Sequence, residues 1–148
     1  MRAAHDNRSL LLQVEVRDDI HHPGKPNTTM WQGDSIQIAC CVNGKDLIEI
    51  GLTTAGNGTG WCWLHPTPNQ RGKLKIPVQA QRRGSVTSYH IRLPWTFFNL
   101  KKVTSGTIIR LALAVNENDG RGRVRVMKLG DGITGVKDPE QFECLRLE

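Results

Sequence analysis

The sequence predicts an all-β protein, a sandwich of two antiparallel sheets of jelly-roll type. Three observations predict it. Apolar residues recur with a period of two over short runs from Leu10 to Leu147. Fifteen Gly and seven Pro punctuate those runs, which suits strands joined by turns better than helices. No long amphipathic helical stripe interrupts the pattern, and the strand spacing is that of a sandwich. At 148 residues the chain is read as one domain, 1–148, long enough for a real core.

Leu10 to Arg17 reads as the first strand, with Leu10, Leu12, Val14 and Val16 on one face and Leu11, Gln13 and Glu15 on the other. Asp18-Asp19 ends it, and a loop runs through Pro23-Gly24-Lys25-Pro26-Asn27. Trp31-Gln32-Gly33-Asp34 leads straight into a second strand, Ser35 to Val42. There Ile36, Ile38, Cys40 and Val42 alternate with Ser35, Gln37, Ala39 and Cys41, so one face packs on a core. Asn43-Gly44 turns the chain into a hairpin partner, Asp46 to Thr53. A Gly-rich turn, Ala55 to Gly60, precedes the short extended run Trp61-Cys62-Trp63-Leu64. Val78 to Arg82 and Thr87 to Leu93 pair across Arg83-Gly84-Ser85. Pro94-Trp95 opens a brief turn or helical segment to Leu100, with Trp95 in the core. Thr107 to Asn116 is a strong strand with Ile109, Leu111, Leu113 and Val115 on one face. Arg123 to Leu129 and Phe142 to Leu147 close the domain.

Composition removes several function classes. No run approaches the roughly 20 apolar residues of a membrane span. The first residues lack the apolar stretch of a signal peptide, so either the protein is not secreted or a leader lies outside this chain. The net charge is +6, and Arg121, Arg123 and Arg125 would share one face of a strand. Such a row attracts an acidic polymer or is simply solvated. No aromatic residues interleave with it for base stacking, so nucleic acid is not expected as a partner. Cys40, Cys41, Cys62 and Cys144 show no C-x-x-C spacing. A disulfide such as Cys41 to Cys62 and free buried thiols both remain open. No G-x-S-x-G and no nucleophile motif is present, and nothing selects a carboxylate pair for glycoside hydrolysis, so an enzyme is not expected.

The candidate binding residues follow from parity. Trp31, Gly33, Ser35 and Gln37 share one side if strand geometry extends back into the loop. A flat ring beside an amide suits a sugar, which has an apolar face and a hydroxyl rim. The competing reading makes Trp31 a core or rim residue at a strand end. Trp61 and Trp63 share a parity too, and either supply a second aromatic or fold onto the sandwich themselves.

Five segments in order resemble the family 9 carbohydrate-binding modules and the wider DOMON-like sandwich group. They are His5-Asp6-Asn7 through Arg17-Asp18-Asp19; Trp31-Gln32-Gly33-Asp34-Ser35-Ile36; Ile91-Arg92-Leu93-Pro94-Trp95; Val115-Asn116-Glu117-Asn118-Asp119-Gly120; and Lys137-Asp138-Pro139-Glu140-Gln141-Phe142 with Leu145-Arg146-Leu147. The resemblance implies non-catalytic binding of an oligo- or polysaccharide, with a chain end clamped between two Trp rings. Trp31 matches one ring. Val136 stands where the other belongs, and Gln37 stands where a sugar-binding Glu belongs. Half the clamp is thus missing, and weak binding is expected. The resemblance also implies that the opening strand ahead of His5-Asp6 is lacking, and that the protein works outside the cell or in the periplasm.

Relatives use calcium structurally, and two polar clusters here are rich in oxygen ligands: Asp18 and Asp19 beside His21 and His22, and Asn116, Glu117, Asn118 and Asp119. Asp18, Asp19, Asn116, Asn118 and Asp119 are the candidate ligands, against a reading of Asx turns and caps. Two other functions stay open. One is a structural or interaction domain within a larger secreted polypeptide, its sugar site decayed. The other is a haem-binding domain, since some relatives ligate haem through Met with Lys or His, and Met30 and Met127-Lys128 are available.

Overall fold

The computed structural model describes residues 1–148. Eleven strands form two antiparallel sheets: β1 (Arg2–His5), β2 (Ser9–Arg17), β3 (Ser35–Val42), β4 (Lys45–Leu52), β5 (Gly60–Leu64), β6 (Gly72–Lys73), β7 (Val78–Arg83), β8 (Val86–Pro94), β9 (Ile108–Glu117), β10 (Arg125–Leu129) and β11 (Glu143–Arg146). The smaller sheet has the order β1-β2-β8-β7. The larger runs β10-β9-β3-β4-β5-β6, and β11 shares with β10 the outer side of β9. The remaining elements are single helical turns, so no helix is long and apolar enough to cross a membrane.

The alternating patterns put their apolar sides between the sheets. Leu10, Leu12 and Val14 of β2 and Tyr89, Ile91 and Leu93 of β8 face Ile36, Ile38, Ile48, Ile50, Leu52, Ile109, Leu111 and Leu113 of the larger sheet. Trp95, Phe97 and Phe98 close one end of this core, and the Trp95 indole N–H donates to the Asp6 carbonyl at 3.0 Å. Ile36, Ile38, Ile109, Leu111, Leu113 and Trp95 are all buried, as their parity predicts. The Asn43-Gly44 turn takes positive φ at both residues (50° and 72°), the geometry that an Asn-Gly pair accommodates between twisted strands.

Three details differ from the sequence reading. β1 and the two-residue β6 had no counterpart in it, because both are short and lack an apolar alternation of their own. The row of three Arg does not lie on one strand: β10 begins only at Arg125, and Arg121 and Arg123 belong to the preceding loop. All four cysteines are free. Cys41 and Cys62 lie on opposite faces of their sheet and cannot bridge, and Cys144 is exposed rather than buried. Burial holds the Cys62 thiol up at about 11, so it stays protonated and unreactive at neutral pH.

β3 is buried at every position, on both faces. Its outer face carries Ser35, Gln37, Ala39 and Cys41. Ala39, Ala112 and Ala114 are small enough for the segment after β10 to settle on them through Ile133 and Phe142. Gly132 takes φ +73° in that segment, packed where any side chain would strike the Asp138 carbonyl.

Candidate functional site

The loop before β3 is a tight frame that presents Trp31. Asp34 pairs with Pro23 in an isolated bridge, and the Gly24 N–H donates to the Asp34 carbonyl at 3.2 Å. A Cβ on Gly33 would lie 2.5 Å from the Gly24 nitrogen, so the two arms touch only because residue 33 has no side chain. Met30, Trp31 and Gln32 form one helical turn whose Met30 is fully buried. The Ser35 hydroxyl hydrogen-bonds toward the Gly33 carbonyl at 2.9 Å and the Met30 carbonyl at 3.1 Å. Trp31 is left partly exposed at the rim.

From Trp31 a chain of polar contacts crosses the outer face of the larger sheet. The Arg123 guanidinium sits over the Trp31 ring, 4.7 Å from its centroid. Its Nη1 donates to Asn116 Oδ1 at 3.4 Å. Asn116 Nδ2 donates to Ser35 Oγ at 3.1 Å and to Gln37 Oε1 at 3.2 Å. Gln37 Nε2 donates to Glu49 Oε1 at 3.1 Å, and Lys137 Nζ pairs with the same oxygen at 3.1 Å. Burial raises the Glu49 carboxyl above its ordinary value, while the charge and hydrogen bond of Lys137 and the hydrogen bond from Gln37 pull it partly back. Gln37 faces away from the inter-sheet core, as its parity predicts, but it is only 9% exposed. It serves as a floor group with its amide oxygen already engaged.

Trp61 and Trp63 project from the same face. β5 carries a bulge opposite Glu49 and Ile50 that gives Trp63 no partner in the ladder. The Trp63 ring occupies the space above Gly51, where a side chain would collide with it, and it borders the Met30 sulfur. Its indole N–H donates to the Thr28 carbonyl at 3.1 Å. Trp63 therefore buttresses the loop that carries Trp31. Trp61 stands beside Gly51 and Lys73, partly exposed. Val136 is 91% exposed, next to Lys137. Glu49 and Lys137 were not singled out as site residues from sequence, and Arg123 entered only as one of the row Arg121, Arg123 and Arg125. Lys137 was within reach, because it opens the Lys-Asp-Pro motif next to Val136.

A second cluster lies on the other side of Asp34. The Asp34 carboxylate accepts from the backbone N–H groups of His22 and Asn118 and lies 3.1 Å from His21 Nδ1. Burial raises its pKa, opposed by the two backbone hydrogen bonds. Asp18 Oδ2 lies 3.6 Å from Arg82 Nη1 and 3.8 Å from His21 Nδ1, and its Oδ1 is buried with no partner. Carboxylate oxygens of Asp18, Glu117 and Asp119 come within 4.8 Å of one another, and so do ligand atoms of Asp18, His21 and Asp34. Of the five candidate metal ligands, only Asp18 and Asp119 meet in such a group. Asp19 is exposed outside it. Asn116 belongs to the polar floor instead. Asn118 Oδ1 caps the turn by accepting from Gly120 and Gly122 N–H at 2.7 and 3.1 Å, the Asx role. The donor set that remains, hard oxygens with one orphaned, fits calcium.

The sulfur of Met30 is enclosed between Gly51 and Trp63, while Met127 is 52% exposed on the β10 edge.

No family model matches this sequence, and no curated protein does. The fold is that of the family 9 carbohydrate-binding modules. A family 9 module from Caldicellulosiruptor kristjanssonii, solved with cellotriose, superposes with a TM-score of 0.78 at 19% identity, over 99% of this chain and 72% of that one. A family 9 module from the same organism, solved with glucose, gives 0.76 at 18% identity, over 99% and 74%. A protein from Bacteroides uniformis gives 0.63 at 15% identity, over 99% and 77%.

Proposed function

We propose that the protein is a non-catalytic carbohydrate-binding module that takes a saccharide on the outer face of the larger sheet, against Trp31. The observation that carries this reading is the pairing of a partly exposed Trp31 with a hydrogen-bonded polar floor, Asn116, Gln37 and Glu49, in a fold whose solved neighbours hold cellotriose and glucose. The face of the Trp31 ring that Arg123 does not cover supplies the stacking surface, while Arg123 donates hydrogen bonds at the rim. Trp61 is the second aromatic available to a longer chain.

Binding is weak. One stacked Trp face buries about 75 Å² of ring, worth about 2 kcal/mol at ~25 cal/mol per Å². Association costs at least roughly 4 kcal/mol. A single ring with hydrogen bonds that compete with water leaves Kd near millimolar. Titration of oligosaccharides against tryptophan fluorescence tests the reading. Trp31→Ala is expected to abolish binding while costing under about 1 kcal/mol of stability, because the ring is a rim platform. A stability loss of roughly 3–5 kcal/mol, the cost for a buried aromatic, would return Trp31 to the core. Val136→Trp is expected to tighten binding by restoring a second ring.

A structural calcium ion held by Asp18, Glu117 and Asp119 belongs to the same proposal, supported by the orphaned Asp18 Oδ1. It would neutralise three converging carboxylates and tie the end of β2 to the end of β9. The melting temperature is then expected to rise with added calcium relative to chelator. An unchanged melting curve removes the ion. Work in the extracellular space or periplasm, as part of a larger polypeptide, is the setting this reading implies.

A further inference from the structure

We propose that this site selects a carboxylate-bearing sugar, a hexuronic acid unit, and that Arg123 is the residue that selects it; the proposal rests on the carbohydrate reading of the Trp31 face. Three observations converge. Arg123 spans the site rather than its surroundings, because it touches Trp31 at the rim and Asn116 on the floor. It is also the cation there without an acidic partner. Lys137 is committed to Glu49 at 3.1 Å and Arg125 to Glu117 at 3.9 Å, whereas no carboxylate pairs with Arg123. Finally, its free edge has a defined shape. Nη1 is used by Asn116, which leaves Nε and Nη2 as a two-donor fork. That fork matches the two oxygens of a carboxylate, which a lysine or a single amide would not do.

The Trp31 ring, 4.7 Å from the guanidinium carbon, and the hydrogen bond to Asn116 both hold Arg123 at the site before any ligand arrives, which narrows the rotamer freedom lost on binding. A pyranose resting on the Trp31 side of the floor carries its C5 substituent beyond the ring edge. A hydroxymethyl group there meets Arg123 as one neutral acceptor, and a carboxylate meets it as a charge-assisted pair. Arg121, in the same loop and also without an acidic partner, adds to the local positive field. Neutral glucans remain ligands of the floor, but weaker ones.

The test is isothermal titration of the intact chain with three matched trisaccharides: β-1,4-linked glucose, its uronic acid counterpart, and a sulfated glucan. The uronic acid is expected to bind about tenfold more tightly than the neutral sugar at low salt. That ratio is expected to fall several-fold in 0.5 M NaCl, as screening of a partly exposed charge requires. Arg123→Gln should bring the ratio to about one, and Arg123→Lys should restore only part of it. Melting curves of both variants confirm that they fold. Equal binding of acidic and neutral sugars by the unmutated chain overturns the proposal but leaves the carbohydrate reading standing. So does a ratio that Arg123→Gln leaves intact. Tighter binding of the sulfated sugar than of the uronic acid overturns the carboxylate assignment. Failure of all three sugars to bind overturns both readings.

Discussion

The outer faces of the two sheets are alike in sequence and opposite in fate. On the smaller sheet, Gln79, Gln81, His90 and Arg92 stand exposed to solvent. On the larger, Ser35, Gln37, Glu49 and Asn116 are polar in the same alternating way and buried. Period-two alternation says only that a residue faces away from the core. What separates the faces is company. Gln37 has Glu49 and Asn116 as partners, and Glu49 has Lys137 brought over by the segment after β10. A buried polar group without such partners would be costly, so the covered face has to be a network. The bare face needs none.

That contrast can be broken at three points, taken from the largest effect down. Asp34 holds the His22 and Asn118 backbones together and carries both walls beside Trp31. Asp34→Ala is expected to cost about 3 kcal/mol, since it strands two part-buried N–H donors and His21, which lowers the melting temperature by about 10 °C. A calorimetric shift of a degree or two would mean the loops hold themselves. Next, Gln37→Ala should cost about 2 kcal/mol by leaving Glu49 and Asn116 short of a partner, whereas Gln79→Ala should stay within about 0.5 kcal/mol. Equal costs in urea unfolding would erase the difference between the faces.

The smallest effect is in the pH dependence. Burial raises the folded-state pKa of Glu49 above its unfolded value. The native protein then takes up the proton first on acidification. Stability from this group is therefore gained as pH falls through the folded value, is complete below the unfolded value, and is lost again as pH rises. Glu49→Gln should flatten that slope, with the part due to Asp34, shifted in the same direction, remaining. Denaturant midpoints measured across the carboxylate range check it. An unchanged slope would mean that Lys137 compensates Glu49 in full.

Much of the architecture was legible because the inward residues obey a strict alternation. Ser35 to Val42 reads as a strand to the residue, and Trp95 reads as core. The side of Gln37 was legible for the same reason. Its partners were not. Glu49 meets Gln37 through the offset of β3 against β4, Asn116 through the pairing of Ser35 with Asn116, and Lys137 by the folding back of a distant segment. The last two join segments far apart in sequence, and the first depends on a hairpin register that shifts between Cys40 and Val42, none of which local patterning encodes. The Arg row misled because Gly120 and Gly122, at φ +93° and +88°, break extended geometry ahead of Arg123. Asn116 was grouped with the acidic loop by sequence proximity, yet its parity places it on the other side of the sheet.

The pairing of β3 with β9 carries a cost in time. Ser35 and Asn116, at one end of that ladder, are 81 residues apart, and in the smaller sheet Ser9 lies opposite Pro94. The central ladder of each sheet thus joins segments from opposite parts of the chain. Neither can form until its later strand, β8 or β9, has been synthesised, and closing such long loops must precede any reward from contacts. Folding is expected on the millisecond-to-second scale of non-local β proteins. Until β9 emerges, the apolar β3–β4 hairpin waits with a bare edge, the species most prone to aggregate. Slower synthesis at lower temperature is therefore expected to raise the soluble yield of this protein more than it would for a helical domain of equal size.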